Sequence, residues 1–82
     1  MRIRVRLGAG LNRFADAPLL ALDVADDASV DDLIAALGAE QPALAPALNS
    51  ALPVLAGQHV ERAQRLSTGD EVALLIPVAG GA

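Results

Sequence analysis

The residues that could take part in a chemical reaction lie at the end of the chain, where two glycines precede a final alanine. Gly80 and Gly81 have no side chains, so a segment ending in them can pass extended through a narrow slot. Ala79 would thread into a partner together with them. Such a tail would place a main-chain carboxylate at the bottom of another protein's active site.

No other group in the sequence offers comparable chemistry. There is no cysteine, which excludes disulfides, thiolate metal sites and cysteine-ligated iron–sulfur clusters. His59 is the only histidine, and we interpret it as a polar residue near a hairpin turn because metal binding and catalysis need partner groups. We therefore expect no metal, no bound cofactor and no catalytic apparatus in the chain itself.

Charge and composition narrow the possible partners. The 82 residues carry a net charge of −4, all six basic residues are arginine, and Phe14 is the only aromatic residue. Nucleic-acid binding usually needs a basic surface with stacking aromatics, so we expect none. No apolar run is long enough for a membrane span and no leader pattern opens the chain, which favours the cytoplasm. Without lysine, the chain can take part in acyl transfer only through its C-terminus.

Two strands are predicted before the first helix. Residues 1–7 alternate, with Ile3, Val5 and Leu7 on one face and three arginines on the other. Arg4 and Arg6 would be ordinary solvated surface or would dock a carboxylate-rich partner, since arginine pairs well with carboxylates. Glycines from Gly8 onward indicate a turn, and residues 19–24 indicate a second strand.

One main helix follows. Ser29 and Asp32 form the pattern of a capping box, and an apolar stripe starts at Val30 with helical spacing. Asp31 and Asp32 also suit the positive end of the helix dipole, so we do not interpret them as metal ligands. Gly38 is predicted to lie just past the end of the helix.

The last strand, residues 71–76, is apolar on both faces, which is typical of a central strand. One helix can cover only one face of the sheet. Leu75, on the other face from Val72 and Leu74, is therefore predicted to dock a partner, together with Pro77 and Val78 next to it. Pro77 cannot donate a ladder hydrogen bond and favours an exit from the sheet.

These elements predict an α+β fold, the β-grasp layout: a mixed sheet with parallel first and last strands at its centre and one helix on one face. Residues 1–77 would form the domain, and residues 78–82 a flexible diglycine tail. The sequence resembles the ubiquitin-like sulfur carriers, most closely the small subunit of molybdopterin synthase. The resemblance covers residues 1–7, 11–15, 29–37 and 66–81, and its specific part is the Gly-Asp-Glu turn, apolar strand, Pro-Val-Ala and Gly-Gly of the final stretch.

The resemblance implies a function. An adenylating enzyme would use ATP to activate the carboxylate of Gly81, a sulfur donor would convert it to a thiocarboxylate, and a larger synthase subunit would consume the sulfur. Carriers of this kind normally end at the second glycine, so Ala82 is a departure. Three interpretations of Ala82 are open. A protease removes it, the activating enzyme accepts it, or the tail is no longer activated and the chain is only a binding module. We favour removal by a protease.

The same residues are compatible with other functions. The thiocarboxylate would most naturally serve molybdenum cofactor synthesis, but related carriers serve thiamine, cysteine, methionine or tRNA thiolation. The chain could instead be a ubiquitin-like modifier of other proteins, or a β-grasp module that binds without covalent chemistry.

Overall fold

The protein is described by a computed structural model that covers residues 1–8, 11 and 19–76. Five strands and two helices form in this part of the chain. In chain order they are β1 (Arg2–Leu7), β2 (Leu19–Asp23), α1 (Val30–Glu40), α2 (Ala45–Leu48), β3 (Leu52–Leu55), β4 (Gln58–His59) and β5 (Glu71–Leu75), with a single 3₁₀ turn at Pro42–Leu44 before α2.

The strands form one sheet in the order β2-β1-β5-β3-β4. The first and last strands, β1 and β5, are parallel and occupy the centre, with Val5 opposite Val72. Each is flanked by an antiparallel neighbour, β2 beside β1 and β3 beside β5. This arrangement confirms the α+β prediction and the β-grasp layout.

Helix α1 begins at the predicted capping box. Ser29 Oγ accepts a hydrogen bond of 3.2 Å from the Asp32 amide, and Asp32 Oδ2 accepts one of 3.0 Å from the Ser29 amide. These bonds satisfy two amides that the first turn leaves unpaired. The predicted end at Gly38 is wrong, because the helix continues to Glu40. A Cβ at Gly38 would lie 3.6 Å from Leu48 Cδ1, an ordinary contact distance, so alanine would also fit at this position.

The core lies between one face of the sheet and α1. Side chains of the predicted apolar stripe of α1 are all buried, as are alternate residues of β1 and β5. The largest fully buried side chains are Ile3, Leu11, Leu33, Leu37, Leu44, Leu74, Val5, Val30 and Val72. Burial of apolar area on this scale is the main favourable term in folding.

Phe14, the only aromatic residue, and the predicted boundary between a domain ending at Pro77 and a tail from Val78 lie outside the described residues. Within the described part, no helix is long and apolar enough to cross a membrane.

Candidate docking face and the C-terminal tail

The sheet has an outer face that no element of the described chain covers. Alternation along β1 turns Ile3, Val5 and Leu7 into the core and leaves the intervening arginines exposed. In β5, Val72 and Leu74 are buried while Leu75 is exposed. The outer face is therefore available to a partner over most of the sheet.

Three leucines, Leu19, Leu52 and Leu75, are the large apolar side chains exposed in the described part of the chain. Their exposed fractions are 40%, 39% and 42%. Leu52 and Leu75 stand directly opposite each other in the β3–β5 ladder, and Leu19 is paired with Arg6 two strands away. We refer to these three residues as the leucine patch. Apolar side chains grouped in this way on an otherwise solvated face are typical of a protein–protein contact.

The leucine patch lies at the end of the sheet from which the chain leads to its diglycine tail. Leu75 is the last residue of β5, whereas Leu52 and Leu19 are the first residues of strands that run antiparallel to the central pair. All three leucines therefore lie at the same end of the sheet, where β5 finishes. A partner that covers the patch would meet the start of the segment after Ile76.

Arginines border the leucine patch on β1. Arg4 and Arg6 are each 57% exposed, and both approach Glu71: Arg6 Nε donates a hydrogen bond of 3.0 Å to Glu71 Oε2, and Arg4 Nε lies 3.7 Å from Glu71 Oε1. Arg2 pairs with Asp23 at 3.3 Å. Asp23 and Glu71 are the acidic residues on the described strands, against three arginines. The three arginines of the outer face are thus paired with carboxylates, on a chain whose net charge is −4.

A shallow depression of about 450 Å³ occupies the opposite end of the outer face. It lies between the turn at residues 55–57 and the residues 69–71, with Ala73 and Arg6 in its lining. Its charged groups already have partners: Asp70 Oδ2 accepts a 2.8 Å hydrogen bond from the Ser67 amide, and Glu71 pairs with the arginines. An uncharged side chain of a partner would fit this environment better than an ion.

The structure brings together three of the predicted docking residues. Leu75, Arg4 and Arg6 all lie on the outer face, which supports the predicted face assignment of β5. The remaining predicted site residues lie outside the described residues: Pro77, Val78, Ala79, Gly80, Gly81 and Ala82. In the described part, no group of three or more His, Asp or Glu side chains could hold a metal ion.

Leu19 and Leu52 were not recognised as docking residues from the sequence. The strand containing Leu52 is a four-residue apolar run with no polar alternation, so its exposed face has no sequence signal. Register decides the matter, because pairing with Leu75 turns Leu52 outward. His59 is exposed on β4, opposite Val54, and agrees with its interpretation as a polar hairpin residue.

Comparison with known proteins decides the family. The sequence model described as the ThiS family matches residues 5–81, nearly the whole chain. The chain belongs to the ThiS family. It is therefore a ubiquitin-like sulfur-carrier homologue, as its sequence indicates. Comparison with curated protein sequences found no significant match.

Several solved structures are similar to this ThiS-family protein over nearly its whole length. SAMP1, small archaeal modifier protein 1, of Haloferax volcanii is 28% identical with a TM-score of 0.87, covering 99% of this chain and 100% of that one. A protein of Pyrococcus furiosus described as molybdopterin converting factor, subunit 1, is 19% identical with a TM-score of 0.83, covering 94% and 98%.

A third neighbour was solved within a complex. It comes from the complex of subunits 1 and 2 of molybdopterin-converting factor of Helicobacter pylori, is 24% identical and has a TM-score of 0.71, covering 99% of this chain and 100% of that one. At this identity, and at that of the Pyrococcus furiosus protein, the likeness establishes the fold. The β-grasp fold is thus shared with a protein named as a small archaeal modifier and with two named as molybdopterin-converting factor subunits.

Proposed function

We propose that this ThiS-family protein is a sulfur carrier for molybdopterin synthesis and that Gly81 holds the sulfur. The observation that carries the proposal is the common position of the leucine patch and the start of the tail. Leu75 belongs to the patch and is followed after one residue by the segment that ends in Gly80 and Gly81. A partner bound to the patch would therefore receive the tail beside its docking surface.

The chemistry proposed for Gly81 has two steps. Its carboxylate oxygen attacks the α-phosphorus of ATP on an adenylating enzyme, and pyrophosphate leaves. Hydrosulfide from a sulfur donor then attacks the acyl carbon, the carbon–oxygen bond to AMP breaks, and a thiocarboxylate remains. The carrier contributes the carboxylate and the docking face, while the partner enzymes contribute the acid–base groups.

Ala82 must be removed before this chemistry under the proposal. Adenylation of the full-length chain would activate an alanine, whose methyl group would have to enter a slot shaped for glycine. A C-terminal protease is therefore proposed as a further partner. The test compares ATP–pyrophosphate exchange by the adenylating enzyme of the same organism for chains ending at Gly81 and at Ala82. Equal exchange with the two chains would refute the need for processing.

The pathway assignment is supported by the fold shared with two molybdopterin-converting factor subunits. The decisive experiment reconstitutes synthesis from the thiocarboxylated chain ending at Gly81 and the large synthase subunit of the same organism. Conversion of the cyclic precursor to molybdopterin, measured by fluorescence of its oxidised product, is the expected result. The carboxylate form of the same chain is the matched control. Binding without conversion would point to another sulfur-accepting enzyme.

A protein modifier is the second candidate, and the similarity to SAMP1 over the whole of both chains favours it specifically. Both functions need the same activation of Gly81, but their products differ. A modifier would appear in cell extracts on larger proteins through isopeptide bonds that survive reducing agent. A carrier would be recovered as the free chain, with one sulfur in place of one oxygen in its intact mass.

A further inference from the structure

We infer that Gly8 is a positioning residue for docking, because its missing side chain determines how Leu75 is presented to a partner. The inference rests on the proposed function, in which Leu75 contacts the activating enzyme and the synthase subunit. Gly8 follows β1 directly, and its amide donates a hydrogen bond of 3.0 Å to the Leu74 carbonyl oxygen. The β1–β5 pairing therefore continues to Gly8, beyond the last residue of the strand.

The space above Gly8 is occupied by Leu75. A Cβ added to Gly8 would lie 2.6 Å from Leu75 Cδ2, 3.2 Å from the Leu74 carbonyl oxygen and 3.7 Å from Leu75 Cα. The first distance is shorter than van der Waals contact allows, so Leu75 and any side chain at position 8 exclude each other in this arrangement. Leu75 Cδ2 thus lies over the backbone of Gly8 on one side. On the other side, Leu75 is paired with Leu52 of β3.

Backbone conformation does not explain the glycine. Positive φ angles occur, within the described part of the chain, at Ala56, Gly57 and Gly69, and Gly8 is not among them. An alanine could adopt the Gly8 backbone without the strain of the left-handed region. The contact with Leu75 is therefore the structural reason for a residue without a side chain at this position.

This contact contributes little to the core. Leu75 is 42% exposed and belongs to the leucine patch, whereas the buried residue beside it is Leu74. The atom that would clash, Leu75 Cδ2, is the end of a flexible side chain that can rotate away, and the Leu74 oxygen would need only a small shift. Gly8→Ala should therefore preserve the fold and turn the Leu75 side chain outward, which changes the shape of the docking surface. The affinity for a partner should then change while the free energy of unfolding does not.

The test is a double-mutant cycle between Gly8→Ala and Leu75→Ala. The affinities of all four proteins are measured by titration calorimetry with the large synthase subunit and with the adenylating enzyme of the same organism. Gly8→Ala should weaken binding by about fivefold or more in the wild-type background and have almost no effect once Leu75 is alanine. Gly38→Ala is the matched control, because its Cβ would make ordinary contact with Leu48 and Ala45 on the helix side.

A second measurement needs no partner. In methyl NMR spectra of the free protein, Gly8→Ala should shift the Leu75 methyl resonances while those of Leu33, buried against the other face of the sheet, stay in place. Unchanged Leu75 methyls, or an equal loss of affinity in the two backgrounds of the cycle, would overturn the inference and leave the proposed function intact. If wild-type protein binds neither partner, the proposed function fails, and the docking role of Gly8 fails with it.

Discussion

Glu71 Oε2 accepts a hydrogen bond of 3.0 Å from Arg6 Nε across the parallel pair of β1 and β5, and Glu71 Oε1 lies 3.7 Å from Arg4 Nε. One carboxylate on the last strand thus holds two arginines of the first strand in place on the outer face. The arginine head groups remain more than half exposed. The contact therefore fixes the charge pattern at the start of β5 more than it stabilises the fold.

Glu71→Gln should accordingly lower the free energy of unfolding by less than about 1 kcal/mol, because water screens exposed ion pairs. Urea denaturation is the measurement. Asp23→Asn is the matched control, because it likewise neutralises a carboxylate that pairs with an arginine of β1. A loss well above that of Asp23→Asn would show that Glu71 has a structural function that its contacts do not indicate.

Leu75→Asp should weaken binding to the large synthase subunit or the adenylating enzyme by about tenfold or more while the protein stays folded. The charge would be placed in the centre of an apolar contact and would lose its hydration on binding. Circular dichroism and calorimetric titration measure the two properties. Leu74→Asp is the control, since Leu74 is fully buried and the same charge there should unfold the domain. Unfolding of both variants would contradict the face assignment of β5.

Arg62→Lys should destabilise the protein by about 1–3 kcal/mol, because lysine cannot reproduce the contacts of the guanidinium group. Arg62 Nη2 donates a 2.7 Å hydrogen bond to the Leu48 carbonyl oxygen at the end of α2, and Nη1 lies 3.5 Å from Asp31 Oδ1 in the first turn of α1. Thermal unfolding measures the loss. Arg65→Lys, at an exposed arginine three residues later, should leave the melting temperature unchanged.

Leu33→Ala should cost about 2–5 kcal/mol of unfolding free energy, because it opens a cavity at a fully buried position of α1. That is a large part of the roughly 5–15 kcal/mol of a typical domain. Chemical denaturation gives the value. Ala35→Ser, on the exposed side of the same helix, provides the comparison, and similar losses in the two variants would show that α1 is packed differently.

Gly81→Val should abolish thiocarboxylate formation without changing the melting temperature. Valine is branched at Cβ and would not pass through a slot suited to glycine, and position 81 follows Ile76, the last described residue, by five positions in the sequence. Mass spectrometry after incubation with the activating enzyme, ATP and a sulfur donor detects the product. The variant is prepared in a chain ending at residue 81, so that processing does not affect the result. Thiocarboxylate on the variant would place the active carboxylate elsewhere.

The parts of the fold with a strong local pattern could be predicted from the sequence. Alternation in β1 identified both faces, and the Ser29–Asp32 capping box identified the start of α1. The central position of β5 followed from its two apolar faces. Each of these signals lies within a few consecutive residues, where spacing alone decides which side chains are buried.

Features that depend on distant contacts could not be predicted. Helix α1 continues past Gly38 and ends at Glu40, because Gln41 precedes Pro42 and has non-helical backbone angles. Gly8 begins a turn as predicted, since its carbonyl oxygen accepts a 3.1 Å hydrogen bond from the Leu11 amide, but the bond from its own amide to β5 was not predicted. The carbonyl groups bound by Arg62 belong to Leu48, at the end of α2, and to Ala51, more than ten residues earlier in the chain. The outward position of Leu52 depends on register, which a short apolar run does not determine.

The central position of β5 has a consequence for the synthesis of the protein. Without β5, the pairings that remain are β1 with β2 and β3 with β4, two separate hairpins with no ladder between them. Isolated hairpins are at best marginally stable in water. A nascent chain therefore assembles its sheet only after residue 75 has left the ribosome, and a fragment released earlier presents no complete docking face.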